Sequence, residues 1–195
     1  MKFSFYKFAI TTAFASVTFF ACTNHQVELN EPLDSDGDYQ EVLKTKHHKQ
    51  EVIKNFETKA IINVTLVDGD FLSAYKKRMQ KVFKSEESTL ITDVKNHRAY
   101  FVSLYCDEYD QCNLSDKNLW TVQLKSDSGL IKPTVIRKVG NKPRWQSFFP
   151  GVTQWTNEYL ILFPGGSTGG QSPNLSDSNN ELVFANTYAN IRFGW

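Results

Sequence analysis

The chain has 195 residues, with 22 lysines and arginines against 21 aspartates and glutamates, and its formal net charge is +1. This length is that of one domain, and it is sufficient to build a hydrophobic core. A nearly neutral chain lacks the basic surface by which proteins bind nucleic acids, so we expect no nucleic-acid partner.

The first 21 residues have the organisation of an export signal. Lys2 and Lys7 give a positive start, and residues 8–21 carry no charge and end at the small residue Ala21. This order of regions is typical of a secretory signal peptide. The uncharged run, about 14 residues, is shorter than the roughly 20 that a membrane-spanning helix needs. We therefore expect residues 1–21 to be a signal peptide that is removed.

The cysteine after Ala21 makes this leader resemble the lipobox of bacterial lipoproteins. Ala21 and Cys22 match that motif, whereas Phe19 stands where leucine is usual and Phe20 where alanine or serine is usual. The resemblance implies that Cys22 carries a diacylglyceryl thioether and an N-acyl chain. Several acyl chains exceed the two signals needed for stable anchoring. The alternative is an ordinary secretory signal followed by an unmodified cysteine.

Thr23 bears on the membrane that holds such an anchor. In the sorting rule of enteric bacterial lipoproteins, which this Cys-Thr start resembles, aspartate after the lipidated cysteine retains the protein in the inner membrane. Other residues release it outward. The resemblance therefore implies a cell-envelope protein anchored by Cys22 in the outer membrane.

The other two cysteines are Cys106 and Cys112. Three cysteines in an exported chain leave one over, and lipidation of Cys22 accounts for it. We expect a Cys106–Cys112 disulfide in the oxidising envelope, with two reduced thiols as the alternative. The acidic residues in and near this loop leave calcium binding as an alternative, although the sequence alone does not identify the six oxygen ligands that calcium takes: Asp107, Glu108, Asp110 and Asp116.

Residues 22–55 are rich in polar and charged side chains, and their few apolar residues follow no sustained period. A segment of this composition is expected to be a flexible tether. Residues 34–38 resemble the start of a calcium loop, but glycine comes too early and the twelfth position is threonine. His47 and His48 stand among lysines, which favours a solvated basic run over a metal site. We expect no metal and no cofactor.

Residues 56–195 are expected to form a single domain. Residues 60–67 alternate as a strand, and apolar residues then recur with helical period over residues 71–83, with Asp70 as the N-terminal cap. Further strands are expected at residues 100–106, 118–125, 130–139, 159–163 and 181–195. The strand 159–163 is apolar on both faces, so we expect it to be covered on both sides.

One helix among about six strands predicts a mainly β fold of the α+β class. The expected architecture is an antiparallel β-sandwich or an open barrel with one amphipathic helix on one side.

Residues 148–164 read FFPGVTQWTNEYLILFP. This segment is similar to a signature of small uncharacterised bacterial envelope lipoproteins, FFP-x-V/T-x-W-x-x-x-YL-x-x-FP. The resemblance to these lipoproteins covers about residues 59–164. The resemblance implies a compartment and names no activity. From the residues alone, Phe148, Phe149, Trp155 and Tyr159 are core and corner residues, since aromatic side chains dominate burial. The alternative is an exposed aromatic platform for a glycan, formed by Trp145, Phe148, Phe149 and Trp155.

The connection 164–180 is rich in glycine, serine and asparagine. Gly165, Ser167 and Gly169 satisfy the nucleophile-elbow spacing, but that motif requires a helix directly afterwards and a later histidine, and no histidine follows. We therefore expect no catalytic residue.

The sequence predicts a non-enzymatic, lipid-anchored envelope protein of structural or interaction type with an envelope protein as partner. The alternative is a module that binds peptidoglycan or another glycan through exposed aromatic residues.

Overall fold

The computed structural model describes residues 36–85, 89–127, 129–140, 142–165 and 180–195. Within these ranges, two antiparallel sheets pack face to face, and four α-helices cover the outer face of the larger sheet. This confirms the predicted mainly β, α+β sandwich. In the described ranges, none of the helices has the length and apolar character that crossing a membrane requires.

In chain order, the elements are α1 (Gly37–Lys46), β1 (His47–Lys54), β2 (Glu57–Val67), α2 (Gly69–Phe83), α3 (Thr89–Asp93), β3 (His97–Cys106), a 3₁₀ turn (Tyr109–Gln111), β4 (Thr121–Ser126), β5 (Gly129–Ile131), β6 (Val135–Lys138), α4 (Lys142–Gln146), β7 (Asn157–Pro164), β8 (Glu181–Ala185) and β9 (Asn190–Gly194). The larger sheet has the order β1-β2-β3-β7-β6, and the smaller sheet has the order β5-β4-β8-β9.

The alternation of side chains across the larger sheet produces two separate hydrophobic cores. One core lies between the sheets, and the other lies between the larger sheet and the helices. Strand β7 contributes to both, because Tyr159 and Ile161 face the smaller sheet while Leu160 and Leu162 face the helices. The strand predicted over residues 159–163 is therefore buried on both faces, as expected.

Helix α2 occupies the predicted position, but its cap differs from the prediction. The carboxylate of Asp68 accepts a hydrogen bond from the Phe71 backbone N–H at 3.0 Å, so Asp68 is the cap and Asp70 lies in the first turn. Phe71, Tyr75 and Met79 recur at four-residue spacing and are buried against the larger sheet. Periodicity located the helix, and the choice between two neighbouring aspartates required the backbone geometry.

The prediction that the tether extends to residue 55 is wrong from residue 36 onwards. Helix α1 buries Tyr39 and Leu43, and Asp36 caps it by accepting from the Tyr39 backbone N–H at 3.4 Å. Strand β1 pairs with β2 from His47 opposite Thr65 to the end of the hairpin. Helix α1 buries only two apolar residues, and β1 is a polar edge strand. Neither element therefore shows the hydrophobic periodicity that would predict it from the sequence. Residues 22–35 lie outside the described ranges.

Two predicted strands are divided in the structure. Residues 130–139 form β5 in the smaller sheet and β6 in the larger one, and Pro133, which lacks an N–H, lies at the crossover. Residues 181–195 form the β8–β9 hairpin, where the Asn186 side chain accepts from the backbone N–H groups of Tyr188 and Ala189 at 3.0 and 2.8 Å. Helices α1, α3 and α4 were not predicted.

Candidate functional site

The proposed glycan platform does not form as a group. Trp145 is 7% exposed, and Phe148 and Phe149 are almost fully buried in the core beneath the helices. Phe149 stacks on Phe101 with ring centroids 3.7 Å apart. These three aromatic residues pack the core, which corrects the platform hypothesis for them. The fourth, Trp155, is 70% exposed.

The corner 147–156 is held by hydrogen bonds from two helices, α1 and α2, and from strand β3. The Tyr39 hydroxyl on α1 donates to the Phe148 carbonyl at 2.9 Å. The buried guanidinium of Arg78 on α2 donates to the Ser147 carbonyl at 2.7 Å. From β3, the Ser103 hydroxyl donates to the Gly151 carbonyl at 2.7 Å. The aromatic-rich segment is therefore a corner that hydrogen bonds fix to the rest of the domain.

Trp155 lies at the end of this corner, on a hydrogen-bonded turn. Its backbone N–H donates to the Thr153 hydroxyl at 3.2 Å, and the Thr156 hydroxyl accepts from the Thr153 N–H at 2.9 Å. Thr156 also contacts the buried carboxyl of Glu158 at 2.6 Å, and burial raises the pKa of Glu158. The Lys142 ammonium donates to the Thr156 carbonyl. The exposed indole is thus presented on a well-bonded backbone.

The predicted cysteine pair lies at disulfide distance. The Cα atoms of Cys106 and Cys112 are 5.5 Å apart. The Cys112 carbonyl accepts from the Asn157 amide at 2.9 Å and from the Tyr159 hydroxyl at 2.7 Å, which fixes the loop to β7. Tyr109, at the tip of this loop, is 74% exposed.

Closure of this loop predicts a thiol count. We expect no reactive thiol in the unreduced exported protein, and two after reduction and unfolding. Cys106→Ala/Cys112→Ala should lower the free energy of unfolding by about 2 kcal/mol, since a short crosslinked loop restricts the unfolded chain. The measurement is mass spectrometry after alkylation, together with urea unfolding. Two reactive thiols before reduction would contradict the disulfide.

The tip of the β1–β2 hairpin has unusual backbone geometry. Asn55 and Phe56 have φ angles of 54° and 64°, in the left-handed region. Two such residues form the tight turn that matches strand twist, and its preferred sequence is Asn-Gly. A bulky residue there costs roughly 1–2 kcal/mol. Phe56 is nevertheless present, and its side chain is fully exposed (105%). It makes no packing contribution that offsets this strain.

These exposed rings lie at one end of the sandwich. Ala60 pairs with Cys106, and the Asp107 N–H donates to the Lys59 carbonyl at 3.1 Å, so the hairpin tip adjoins the disulfide loop. Leu104 pairs with Asn157, which places the last residues of the 147–156 corner at the same end of the sandwich. We call this region, formed by Phe56, Tyr109 and Trp155, the aromatic end.

The charges at the aromatic end are mixed. The Lys59 ammonium contacts Glu57 and Asp107, each at 2.7 Å. Hydrogen bonding to the Asp107 carboxylate raises the pKa of Lys59, and the same contact lowers the pKa of Asp107. The carboxylate of Asp107 also accepts from the Glu108 N–H at 2.9 Å. These acids are engaged in the protein's own contacts.

Within the described part of the chain, no group of three or more His, Cys, Asp or Glu side chains is placed to hold a metal ion. His47 and His48 are neighbours in β1, so their side chains point to opposite faces. His47 contacts the Thr65 hydroxyl at 3.0 Å, whereas His48 packs edge-on against Trp195 at 5.1 Å. Burial lowers the pKa of His47 to about 4.

Several predicted features lie outside the described residues: the signal peptide 1–21, Cys22, Thr23 and most of the connection 164–180, including Ser167 and Gly169. Phe56 and Tyr109 were not predicted, because single exposed aromatic residues create no periodic pattern. Searches against protein-family models, curated proteins and solved structures found no match to this chain.

Proposed function

We propose that the protein is a non-enzymatic, lipid-anchored protein of the cell envelope that binds an envelope protein through its aromatic end. The observation that carries the interaction role is Phe56, a fully exposed ring at a backbone position that favours glycine. A strained residue that contributes nothing to packing is best explained by a function outside the fold.

The other two exposed rings support the same role. Tyr109 and Trp155 belong to separate loops. The loop of Tyr109 is fixed to β7 at the Cys112 carbonyl, and the corner that carries Trp155 is fixed to β3 at the Gly151 carbonyl. Rigid aromatic side chains lose little conformational entropy on binding, and tyrosine and tryptophan are enriched among residues that dominate interface energies. The aromatic end therefore has the composition of a protein-binding surface.

The lipid anchor is supported by the lipobox-like leader ending at Cys22 and by a cysteine pair suited to an oxidising compartment. Thr23 favours the outer membrane through the sorting rule. Residues 23–35 separate the anchor from Asp36, and a chain extends at most about 3.5 Å per residue. An anchored domain would stay within about 50 Å of the lipid, which restricts its partners to those near that membrane.

A glycan-binding role remains the second candidate, since Trp155 presents an exposed indole on which a sugar ring can stack. The burial of Trp145, Phe148 and Phe149 leaves this role to a single ring of the proposed platform. Three rings from three loops fit a protein surface better.

Photo-cross-linking in intact cells separates the two roles. A photoreactive residue in place of Tyr109 should give a discrete adduct with one envelope protein, and Phe56→Ser/Trp155→Ser should reduce its yield severalfold. The matched control is a photoreactive residue in place of Leu130. This residue is 62% exposed on β5, whose hairpin with β4 lies at the opposite end.

Equal adducts from both positions would contradict a specific surface. Sedimentation of the purified full chain with insoluble peptidoglycan, lost in Trp155→Ser alone, would establish the glycan role instead.

A further inference from the structure

A cleft of about 470 Å³ lies on one open side of the sandwich. Strand β5 pairs with β4 only from Leu124 onwards, and the chain then leaves the smaller sheet to become β6 of the larger sheet. The cleft occupies the gap that this departure opens. Its apolar lining includes Trp120, Val122 and Ile136.

The edge of β4 in this cleft has an unpaired backbone. The Asn186 N–H donates to the Ala189 carbonyl at 2.9 Å, so even-numbered residues of β8 face β9 and odd-numbered ones face β4. Thr121 and Gln123, which lie opposite Ala185 and Val183, therefore bond with β8. The N–H and C=O groups of Val122 face the other side.

Strand β5 lies on that side of β4, but its pairing with β4 does not extend to Val122. Among the described residues, β5 has no residue opposite Val122, and no backbone hydrogen bond outside the strand ladders involves Val122. Exposed N–H and C=O groups along a strand edge are a template for pairing with another strand, which supplies both a donor and an acceptor.

Residues from both faces of β4 line the cleft. Val122 points into the core between the sheets, whereas Thr121 and Gln123 lie on the outward face, and all three border the cavity. The cavity therefore passes over the backbone edge of the strand. This is the geometry by which an added strand places alternate side chains on the two faces.

The mouth of the cleft is positively charged. Lys117 and Lys132 line it, both are exposed, and within the described ranges neither contacts a carboxylate. Among the described residues, none that lines the cavity is acidic. The nearest acid in sequence, Asp116, accepts a hydrogen bond from the Asn118 N–H at 2.9 Å. The two ammonium groups are thus available to an anionic ligand.

We propose that this cleft binds an extended acidic peptide, which adds antiparallel to β4 at Val122 with an apolar side chain directed inward and carboxylates near Lys117 and Lys132. A fatty acid would satisfy the lysines and the apolar lining, but it has no N–H for the Val122 carbonyl. The proposal involves a different surface from the aromatic end and does not depend on the lipid at Cys22.

The probe is a fluorescein-labelled, acetylated octapeptide of alternating valine and glutamate, and the readout is fluorescence anisotropy with the purified full chain. We expect saturable binding at low salt, weakened about tenfold by Lys117→Ala/Lys132→Ala, since both charge pairs are lost. The control Lys76→Ala/Lys95→Ala removes two exposed lysines elsewhere and should change the dissociation constant less than twofold.

Peptide N-methylation tests the strand geometry. A residue directly opposite Val122 in an antiparallel pair has its side chain on the same, inward face. Methylating the valine nitrogens should therefore abolish binding, whereas methylating the glutamate nitrogens should preserve it.

Equal binding of both methylated peptides would overturn strand addition. Displacement of the probe by dodecanoate together with such equal binding would assign the cleft to anionic amphiphiles. Absence of saturable binding by the unmodified peptide would also overturn the proposal.

Discussion

Cys22→Ser is expected to move the protein from the membrane pellet to the soluble fraction. Serine cannot form the thioether, so the protein would lack the acyl chains that hold it at the bilayer. Cell fractionation with an antibody to the domain measures the shift. The expected effect is nearly complete, because multiple acyl chains bind far more strongly than the single chain that gives marginal attachment.

A matched control separates lipidation from other thiol chemistry. Cys106→Ser/Cys112→Ser keeps Cys22 and should remain in the pellet despite losing the disulfide. On a sucrose gradient the unmodified chain is expected to migrate with the outer membrane, as Thr23 indicates. Membrane retention of Cys22→Ser would refute the anchor, and migration with inner-membrane markers would refute the outer-membrane assignment alone.

Gly151→Ala is expected to lower the free energy of unfolding by about 2–5 kcal/mol. Gly151 has a φ of 78°, where a side chain costs roughly 1–2 kcal/mol. A Cβ atom would also lie 2.2 Å from the Asn63 amide nitrogen. Asn63 is buried, so displacing its amide adds a desolvation cost of about 1–3 kcal/mol.

Urea unfolding measures this effect, and Gly194→Ala is the control. Gly194 lies in the edge strand β9, and no atom of the described part of the chain lies within 4 Å of a Cβ built there. That substitution should be neutral or stabilise by roughly 0.4–1 kcal/mol. Equal stability of the two variants would show that the corner tolerates a side chain and is less rigid than its hydrogen bonds indicate.

Elements with strong periodicity were predictable from the sequence. Strand β2, helix α2 and strand β7 bury at least one continuous apolar face, and that burial imposes a pattern on the residues. Strand β1 could not be recognised, because it is an edge strand of the larger sheet and most of its side chains are exposed. Its polar composition is typical of protected edges and resembles that of a tether.

The candidate site was only partly predictable for a related reason. The core role of Phe148 and Phe149 followed from the tendency of aromatic residues to be buried. Trp155 follows Phe149 in the same corner. Its exposure depends on the hydrogen bonds of that corner, and no pattern in the sequence predicts it. Phe56 could have been noticed once β1 was known, since Asn55-Phe56 then stands where a hairpin favours Asn-Gly.

The central claim is that the aromatic end serves binding at the expense of the fold, and Phe56→Gly tests it most directly. Glycine relieves the left-handed strain, so the free energy of unfolding should rise by up to about 1 kcal/mol. In the same variant, the adduct formed in cells by a photoreactive residue in place of Tyr109 should fall severalfold. An unchanged adduct yield, or a variant less stable than the original, would contradict the account.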